Sequence, residues 1–303
     1  MLVTVALPTR NGAERLGTVL PRILGELRAL PGEGEIIVVD DGSQDATPDL
    51  VAAWAARHGA IRGLRTEGVG PGAARNRAIA AARGRHVAFA DDDDAWAAGR
   101  LARQVAALEA QPAAALSFTD YRHVDETRPR EILPTAFGYW PLWRRFRDRP
   151  ASLLPDAAPL ICAENAVGTS TVVARRAALE RAGGFDATLP SASDWDLWLR
   201  LARLGPALVL GEVGATYAMR PGSVSAARGA RIAAMRMILS RQSDLPGWSL
   251  RHARARLDEA ESEAAEATGA FGAAIAGALS AAARGPSLRR LRRCAGLVRA
   301  SVA

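Results

Sequence analysis

Four consecutive aspartates at 91–94 are the residues of this chain best suited to do chemistry. They follow the segment 86–90, which its apolar pattern predicts to be a short buried strand, so the carboxylates leave the C-terminal end of that strand. Open α/β sheets place their ligand sites at this end. Crowded carboxylates repel one another unless a cation neutralises them, and Mg²⁺ or Mn²⁺ carrying phosphates suits their oxygen atoms. We therefore expect a divalent-metal site here; the alternative is a solvated acidic turn that caps the next helix.

Two earlier predicted strands also end in residues that could bind a ligand. Pro8 and Thr9 close the first strand, and Asp40 and Asp41 close the second. Adjacent parallel strands bring their C-terminal ends to one crevice, so these groups should converge. A carboxylate there can accept hydrogen bonds from a base imide or from ribose hydroxyls. The alternative is that the two aspartates form only a turn and a helix cap.

A glycine-rich segment at 70–74 leads into a predicted helix whose first turn contains Arg75 and Asn76. Backbone N–H groups at a helix N-terminus, together with a guanidinium, form a ready anion site. An exposed helix arginine without a ligand is the alternative for Arg75.

Five segments occur in an order and spacing that resemble the family 2 glycosyltransferases, enzymes with the GT-A fold that use a nucleotide-sugar donor. The segments are 3–11, 35–47, 70–77, 91–94 and 193–200, and the resemblance covers residues 1–225. It implies an inverting transfer of a sugar from a nucleoside-diphosphate sugar to an acceptor hydroxyl, with Mn²⁺ or Mg²⁺. The donor sugar and the acceptor, whether a glycan, a lipid-linked molecule or a small molecule, stay open.

The resemblance also implies a nucleotide-sugar site. Asp40 is expected to hold the nucleobase, with Pro8 and Thr9 beside it and Asn11 in the same site. Arg75 is expected to contact the nucleotide.

The D-x-D motif of the family maps onto the first three aspartates of the run. If strand alternation continues, Asp91 and Asp93 point to one side. We therefore expect Asp93 to bind the metal and Asp91 to bind the metal and the ribose. Asp92 is assigned to the nucleotide-sugar site, and with Asp94 it is expected behind the metal ligands or at a helix cap. Asn76 is expected to steady this loop.

Asp194 matches the catalytic base of the family, at the start of a predicted amphipathic helix. The family usually has Glu before this aspartate, whereas this chain has Ser193, a departure that bears on the acceptor. The alternative is that Asp194 only caps the helix. Arg220 and Ser223 lie in a segment that resembles one near the end of the family's domain, where such residues approach the diphosphate.

Three competing functions were weighed. A sugar-phosphate nucleotidylyltransferase carries a glycine-rich, Arg- or Lys-containing loop after its first strand, which residues 7–12 do not match. A binding protein of the same fold would not need Asp93 and Asp194. A nucleic-acid-binding module is disfavoured because the net charge of +7 lies entirely in residues 226–303, with 13 arginines against 6 acidic residues; elsewhere 26 basic and 26 acidic residues cancel. We expect no nucleic-acid partner.

The elements that must position these residues alternate as βα units, which predicts an α/β fold with a Rossmann-like sheet and helices on both faces. This domain is expected at 1–225, followed by an α-helical extension at 226–303 with helices near 227–242, 249–283 and 287–301. Later strands are expected at 168–174, 207–210 and 215–218. Segment 122–165 lacks periodicity and is rich in proline and aromatic residues, so it is expected to be a binding loop or lid.

Composition indicates a soluble cytoplasmic protein, because no apolar run approaches the roughly 20 residues that span a bilayer and the N-terminus lacks a signal-peptide pattern. Cys162 and Cys294 suggest neither a disulfide nor a zinc site.

The predicted helix at 287–302 carries apolar residues at 288, 291, 295, 298 and 302 among arginines. It could rest on the inner face of an anionic membrane, or pack on the enzyme's own helices or on a second subunit in a homodimer.

Overall fold

The chain was analysed as a computed structural model that describes residues 1–125, 134–219 and 227–301. It divides into two compact units. The first comprises residues 1–157, 166–187 and 194–220, and the second comprises 158–165, 188–193 and 221–303. The predicted domain boundary at 225 lies outside the described residues, and the second unit also includes two earlier pieces of chain that the prediction did not assign to it.

The first hundred residues form the predicted βα units. Strands β1 (Val3–Thr9), β2 (Gly34–Asp41), β3 (Ile61–Thr66) and β4 (His86–Phe89) are parallel and lie in the order β3-β2-β1-β4. Between them run helices α1 (Ala13–Arg28), α2 (Thr47–Arg57) and α3 (Pro71–Ala81). The four residues 36–39 of β2 are completely buried, as expected for a strand that is covered on both faces.

The remainder of the first unit extends this sheet with mixed pairing. Its elements are β5 (Ala95–Trp96), α4 (Arg100–Ala110), β6 (Leu116–Asp125), α5 (Ala136–Tyr139), β7 (Ser152–Leu154), β8 (Val173–Arg175), α7 (Arg176–Ala182), α8 (Ser193–Ala202) and β9 (Ala207–Met219), with α6 (Ala158–Ala163) assigned to the second unit. The sheet continues β4-β8-β6-β9-β5, and β7 pairs with β9. The β4–β8 and β6–β8 pairs are antiparallel, whereas β6 and β9 are parallel.

Two predictions about these strands were wrong. The strand expected at 168–174 begins as a 3₁₀ turn, Thr169–Thr171, and only β8 is extended. The two strands expected at 207–210 and 215–218 are one strand, β9. Gly211 and Gly214 suggest a break in the sequence, but a Cβ at either position would overlap Phe146 or Thr119, so these glycines allow close packing.

Part of the segment expected to be a binding loop or lid packs as core, although most of its residues between 134 and 156 are exposed. The Trp143 ring is fully buried, stacks on Phe137 at 5.6 Å between centroids and meets Phe118 edge-on at 5.5 Å. Exposure of these large apolar rings to water would be unfavourable, so their burial favours a fixed position over a mobile lid. The structure therefore assigns the centre of this segment to the support of β6.

Helix packing closes both faces of the sheet. The apolar stripe of α1 is buried as predicted, with Leu16 and Leu20 fully inaccessible. It joins a core that includes Leu101 and Leu108 of α4. A separate aromatic group forms where the Phe89 ring of β4 lies 5.6 Å from that of Trp198 in α8.

The second unit is helical, with α9 (Arg228–Ser240), α10 (Gly247–Ala267), α11 (Phe271–Arg284) and α12 (Leu288–Ser301). The long helix expected at 249–283 is two helices, because Gly269 adopts a left-handed φ of +76° and ends the first of them. Within the described residues, no helix is long and apolar enough to cross a bilayer. Cys162 and Cys294 are both free and buried.

Glu259 of α10 holds α12 against α10 within the second unit. Its buried carboxylate accepts a hydrogen bond from Arg290 Nε at 2.8 Å. Burial disfavours the charged form, but this bond and the nearby Arg256 and Arg289 outweigh it, so the pKa of Glu259 is lowered. Leu297 and Cys294 of the same face of α12 are buried with alanines of α11. One face of α12 therefore packs on the protein itself.

Candidate active site

The C-terminal ends of β1, β2 and β4 meet at one edge of the sheet, as the sequence predicts. Thr9, the last residue of β1, lies opposite Asp40 in the parallel register of β2. Residues 91–94 follow β4 on the other side of β1. Three sequence-predicted groups are thus brought together by strand order alone.

Asp92 is held from two sides. Thr9 Oγ1 donates a hydrogen bond to Asp92 Oδ2 at 2.5 Å, and Arg15 donates through Nε and Nη2 at 3.0 and 2.9 Å. Arg15 lies in the first turn of α1, where a cation is unfavourable next to the positive end of the helix dipole. That unfavourable position was the one signal in the sequence for this residue, which the sequence analysis missed.

Asp91 pairs with Arg75, the arginine that the sequence predicts at this site. The Arg75 guanidinium is buried and lies 5.6 Å from the centre of the Phe185 ring. Burial alone would lower the pKa of Arg75, but the field of Asp91, together with Asp194 and Asp94, reverses the effect and raises it. This cation is therefore permanently charged.

Residues 91–94 form a turn, in which the Asp94 N–H donates to the Asp91 carbonyl at 3.3 Å. Strand alternation ends with β4, so it does not place Asp91 and Asp93 on one side as the sequence argument assumed. The Asp94 carboxyl is buried, and burial, with the charges of Asp91 and Asp93, raises its pKa well above the usual range. It is the member of the run with the least access to water.

A cavity of about 360 Å³ lies beside this turn, on the side of α1. Asp93, which is half-buried, lines the cavity together with Asp92 and Asp94. The remaining lining residues come from α1 and β5: Glu14, Arg15, Thr18, Val19, Arg22 and Ala95. Three aspartates therefore line an opening large enough for a hydrated ion.

The carboxylates at the end of β2 already have partners. Asp40 Oδ1 accepts the Ser43 N–H at 3.0 Å, and Arg65 Nη1 lies 3.1 Å from Oδ2. Asp41 accepts hydrogen bonds from Thr66 Oγ1 and from two backbone N–H groups, at 69 and 70. The pKa of Asp41 is lowered because these hydrogen bonds outweigh the desolvation that would raise it. Asp41 thus fixes the loop that leads into α3.

Asn11 connects the end of β1 to the same loop after β2. Its backbone has a positive φ of 48°, its N–H donates to Ser43 Oγ at 2.8 Å, and its Oδ1 accepts from the Gln44 N–H at 2.9 Å. Pro8 is half-buried in β1. Both predicted residues therefore lie at the strand ends where the nucleotide is expected.

Asp194 lies in the first turn of α8 and accepts a hydrogen bond from Thr169 Oγ1 at 3.0 Å. The charge of Asp194 acts on Arg75 and, after burial, also helps to raise the pKa of Tyr121. The neighbouring Asp196 pairs with Arg200 at 2.7 Å, an i, i+4 ion pair on α8. Asp194 therefore belongs to the same site as the aspartate run.

Three other predicted residues have different outcomes. Arg220 and Ser223 lie outside the described residues. Asn76 does not contact the aspartate run in the hydrogen bonds of the described residues. Its amide exchanges two hydrogen bonds of 2.7 Å with the backbone of Phe185 instead, and so fastens α3 to the segment before α8.

The donor set of this site fits a hard divalent cation. No three acidic, histidine or cysteine side chains of the described residues are preassembled as a cage. Mg²⁺ in nucleotide enzymes usually takes one or two carboxylates and completes its shell with phosphate and water oxygens. Asp93 offers such a carboxylate at the cavity, Asp91 lies in the same turn and pairs with Arg75, and Asp94 keeps one buried oxygen without a hydrogen bond in the described residues.

Comparison with known families agrees with this geometry. The family model described as "Glycosyl transferase family 2" matches residues 4–175, more than half of the chain. The chain belongs to glycosyl transferase family 2. This membership sets aside the nucleotidylyltransferase and nucleic-acid-binding hypotheses.

Named relatives share parts of the chain. The pre-mycofactocin glycosyltransferase of Mycobacterium tuberculosis is 32% identical over 215 residues, which cover 68% of this chain and 40% of that protein. The putative teichuronic acid biosynthesis glycosyltransferase TuaG of Bacillus subtilis is 32% identical over 121 residues, 40% of this chain and 46% of that protein. The chain spans less than half the length of these relatives.

Solved structures share the GT-A fold of this glycosyltransferase. TarS residues 1–349 of S. aureus, in complex with UDP-GlcNAc, superpose with a TM-score of 0.68 at 19% identity, covering 100% of this chain and 81% of that one. The mannosyltransferase PcManGT of Pyrobaculum calidifontis, in complex with GDP-Man and Mn²⁺, gives a TM-score of 0.65 at 26% identity, covering 99% and 80%. The predicted α/β GT-A fold with C-terminal helices is confirmed.

The clasp between Thr9, Asp92 and Arg15 requires a glycine at position 12. A Cβ there would overlap both Thr9 Oγ1 and Asp92 Oδ2. We expect Gly12→Ala to lower the free energy of unfolding by about 1–3 kcal/mol, the usual cost of overpacking. Gly17→Ala in α1 is the matched control, because its Cβ meets nothing within 4 Å, and alanine there should stabilise the helix by about 0.5–1 kcal/mol. Urea denaturation measures both; equal stability of the two variants would contradict the clasp.

Proposed function

We propose that this family 2 enzyme transfers a sugar from a nucleoside-diphosphate sugar to an acceptor hydroxyl, with inversion at the anomeric carbon and with Mn²⁺ or Mg²⁺. One observation carries the proposal: the buried Arg75 lies in the field of both Asp91 of the aspartate run and Asp194 of α8. A group that holds the leaving diphosphate and a group that activates the acceptor therefore share one site.

The donor would lie across the ends of β1 and β2. In this proposal Asp40 binds the nucleobase, and Pro8, Thr9 and Asn11 flank it. Arg65 and the Ser43 N–H hold the Asp40 carboxylate in place, which supports its role in binding at the end of β2. The ligands bound in the structural neighbours, UDP-GlcNAc in TarS and GDP-Man in PcManGT, support a nucleotide-sugar as the donor.

The diphosphate would lie against residues 91–94 and the start of α3. Arg75 is fixed in charge and in position, so it can stabilise the developing negative charge of the leaving group. We assign Asp93 and Asp91 to the metal, Asp92 to the nucleotide-sugar site, and Arg220 and Ser223 to the diphosphate. A bound divalent ion would neutralise the two phosphates and make the nucleoside diphosphate a better leaving group.

Asp194 would act as general base in the transfer. Its carboxylate takes the proton from the acceptor hydroxyl while the hydroxyl oxygen attacks the anomeric carbon from the side opposite the leaving diphosphate. The bond between carbon and phosphate oxygen breaks as the new one forms, so no covalent enzyme intermediate is needed. Asp196 is a poor candidate for this role because its carboxylate is buried and paired with Arg200.

We also propose that the second unit contacts the cytoplasmic face of an anionic membrane through α12. Leu288, Leu291 and Val298 are 72%, 54% and 49% exposed, although the opposite face of α12 packs on α11. The helix contains five arginines and no acidic residue. Arg289, Arg290 and Arg293 pair with glutamates of α10, whereas Arg292 and Arg299 are exposed. Exposed apolar side chains flanked by arginines suit anionic lipid, where each basic residue near the surface contributes about 1 kcal/mol. Ala295 is also exposed, and Val302 of the predicted stripe lies outside the described residues. Such a contact would suit a lipid-linked acceptor.

Removal of the metal should abolish donor binding and transfer. We expect EDTA to release UDP and GDP from the wild-type enzyme, and Asp93→Ala to lose transfer while its melting temperature stays unchanged, since Asp93 is only half-buried. Isothermal titration with and without Mn²⁺ and a donor-turnover assay provide the measurements. Asp49→Ala, at an exposed acid of α2, is the control. Tight EDTA-insensitive binding with normal turnover in Asp93→Ala would overturn the metal assignment.

Loss of the base should affect turnover rather than donor affinity. We expect Asp194→Asn to reduce kcat by about 10²- to 10⁴-fold and to leave the dissociation constant of the donor nearly unchanged, because the proton acceptor is lost and the shape is kept. Asp196→Asn should lower stability more than turnover, since it breaks the pair with Arg200. A larger loss of kcat in Asp196→Asn at equal stability would mean that the other aspartate is the base.

Membrane contact should depend on the exposed face of α12. We expect the triple substitution Leu288→Gln, Leu291→Gln and Val298→Gln to lower co-sedimentation with phosphatidylserine vesicles at low and at physiological salt. The fold should survive because these side chains are exposed. Leu279→Gln, at a 56% exposed position of α11, is the control. Unchanged co-sedimentation of the triple variant would remove the membrane role, and loss of a dimer on light scattering would assign this face to a second copy.

A further inference from the structure

The short 3₁₀ turn Thr169–Thr171 lies between the two halves of the site and belongs to neither in the proposed function. Its residues are adjacent in sequence, yet their hydroxyl groups contact different parts of the active site. Successive residues of a 3₁₀ turn point about a third of a circle apart, so neighbouring side chains can serve two directions.

Thr169 faces the proposed base. Its hydroxyl Oγ1 donates a hydrogen bond to Asp194 Oδ2 at 3.0 Å, and the Trp195 N–H lies 2.8 Å from the other oxygen, Oδ1. With one oxygen held by a side chain and the other by the backbone, rotation of the carboxylate is restricted. A base must present its oxygen to the acceptor hydroxyl within hydrogen-bond reach, so this restriction bears on the chemical step.

Ser170 faces the aspartate run. Its buried Oγ accepts the Asp91 N–H at 3.0 Å and so fixes the start of the run. The geometry of the carboxylates proposed to hold the metal thus depends on this serine, although it contributes no ligand of its own.

The turn itself is fixed from beneath by α4. Arg100, which is completely buried, donates to the Ser170 carbonyl and lies 4.0 Å from the Trp96 ring. Gln104 Nε2 donates to the Thr171 carbonyl at 2.9 Å. At its end the turn joins β4, where the Phe89 N–H donates to the Val172 carbonyl at 3.1 Å. A displacement of the turn would therefore break buried polar contacts, which is costly.

We propose that Thr169 and Ser170 are positioning residues with separate tasks: Thr169 orients the base Asp194, and Ser170 sets the shape of the metal-binding run. The rigid turn that carries both then fixes the distance between the attacking hydroxyl and the leaving diphosphate. The inference rests on the proposed function, because it assumes that Asp194 and residues 91–94 have the roles assigned above. Effective catalysis requires such fixed geometry between reacting groups.

The test separates kcat from donor affinity in full-length variants. The probes are UDP and GDP with Mn²⁺ for binding, and UDP-GlcNAc and GDP-Man for turnover, followed as release of the nucleoside diphosphate. We expect Thr169→Val to reduce kcat about 10- to 100-fold, the equivalent of one hydrogen bond to a charged group, with an unchanged dissociation constant of the nucleoside diphosphate. Thr169→Ser keeps the hydroxyl and should restore most of the loss.

Ser170→Ala should give the opposite pattern. We expect it to weaken Mn²⁺-dependent nucleoside diphosphate binding about 10-fold, with a smaller loss of kcat at saturating donor and metal. Thr268→Val at the end of α10 is the control for the Thr→Val change, because its hydroxyl bonds only within its own helix end, to the Ala265 carbonyl. Its turnover and binding should match those of the wild type.

Two outcomes would overturn the inference while the proposed function stands: wild-type kcat in Thr169→Val when Asp194→Asn is inactive, or equal losses of kcat in Thr169→Val and Thr169→Ser at equal stability. Wild-type turnover in Asp194→Asn would instead overturn the assignment of the base itself. Parallel losses of stability and turnover in both Thr169→Val and Ser170→Ala, measured by thermal unfolding, would reduce the turn to a purely structural element and so also count against the inference.

Discussion

Repulsion between neighbouring carboxylates is the constraint that organises the active-site edge of this enzyme. Four aspartates within one turn cannot all be charged and close together without compensation. Two guanidinium groups supply it from opposite sides, Arg15 from α1 to Asp92 and Arg75 from α3 to Asp91. Arginine suits this task because it stays charged when buried and offers a planar fork of donors. Helices α1 and α3 must therefore begin where they do, next to the ends of β1 and β4.

The burial of Arg75 in turn depends on apolar packing and on the amide of Asn76. The Phe185 ring lies beside the guanidinium, and Asn76 binds the backbone of Phe185 through two hydrogen bonds. Phe185 also meets Phe89 edge-on at 5.4 Å between ring centroids. Core packing and the electrostatics of the site therefore depend on the same side chain. Phe185 packs in the aromatic group and also keeps water from the Arg75 guanidinium, which strengthens the attraction of this cation to the aspartates.

Sequence patterns predicted the elements of the first hundred residues because the apolar pattern of each element extends over several residues and polar, glycine or proline residues mark its ends. The buried strand predicted at 86–90 is β4, which spans His86–Phe89. The failures share a physical cause in tertiary packing. Gly211 and Gly214, in the interval expected between two strands, are points of close approach within β9, and residues 169–171, expected within a strand, form a 3₁₀ turn. At the site, strand ends predicted which groups converge, but not their partners. Neither Arg15 nor Ser170 belongs to a recognisable motif. Apart from the helix-dipole position of Arg15, the sequence gives no signal for them, because they act across separations of 77 and 79 residues.

The division of the chain into two units that are not contiguous in sequence has a consequence for synthesis on the ribosome. Helix α6, whose six residues are all buried, is made early, but it belongs to the second unit. There the Ser249 hydroxyl donates to the Pro159 carbonyl across 90 residues. At roughly 5–20 residues per second, α6 leaves the ribosome about 5–18 seconds before α10 exists to cover it. During that interval the nascent chain carries an apolar helix without its partner, and a chain released near residue 225 would never acquire that cover.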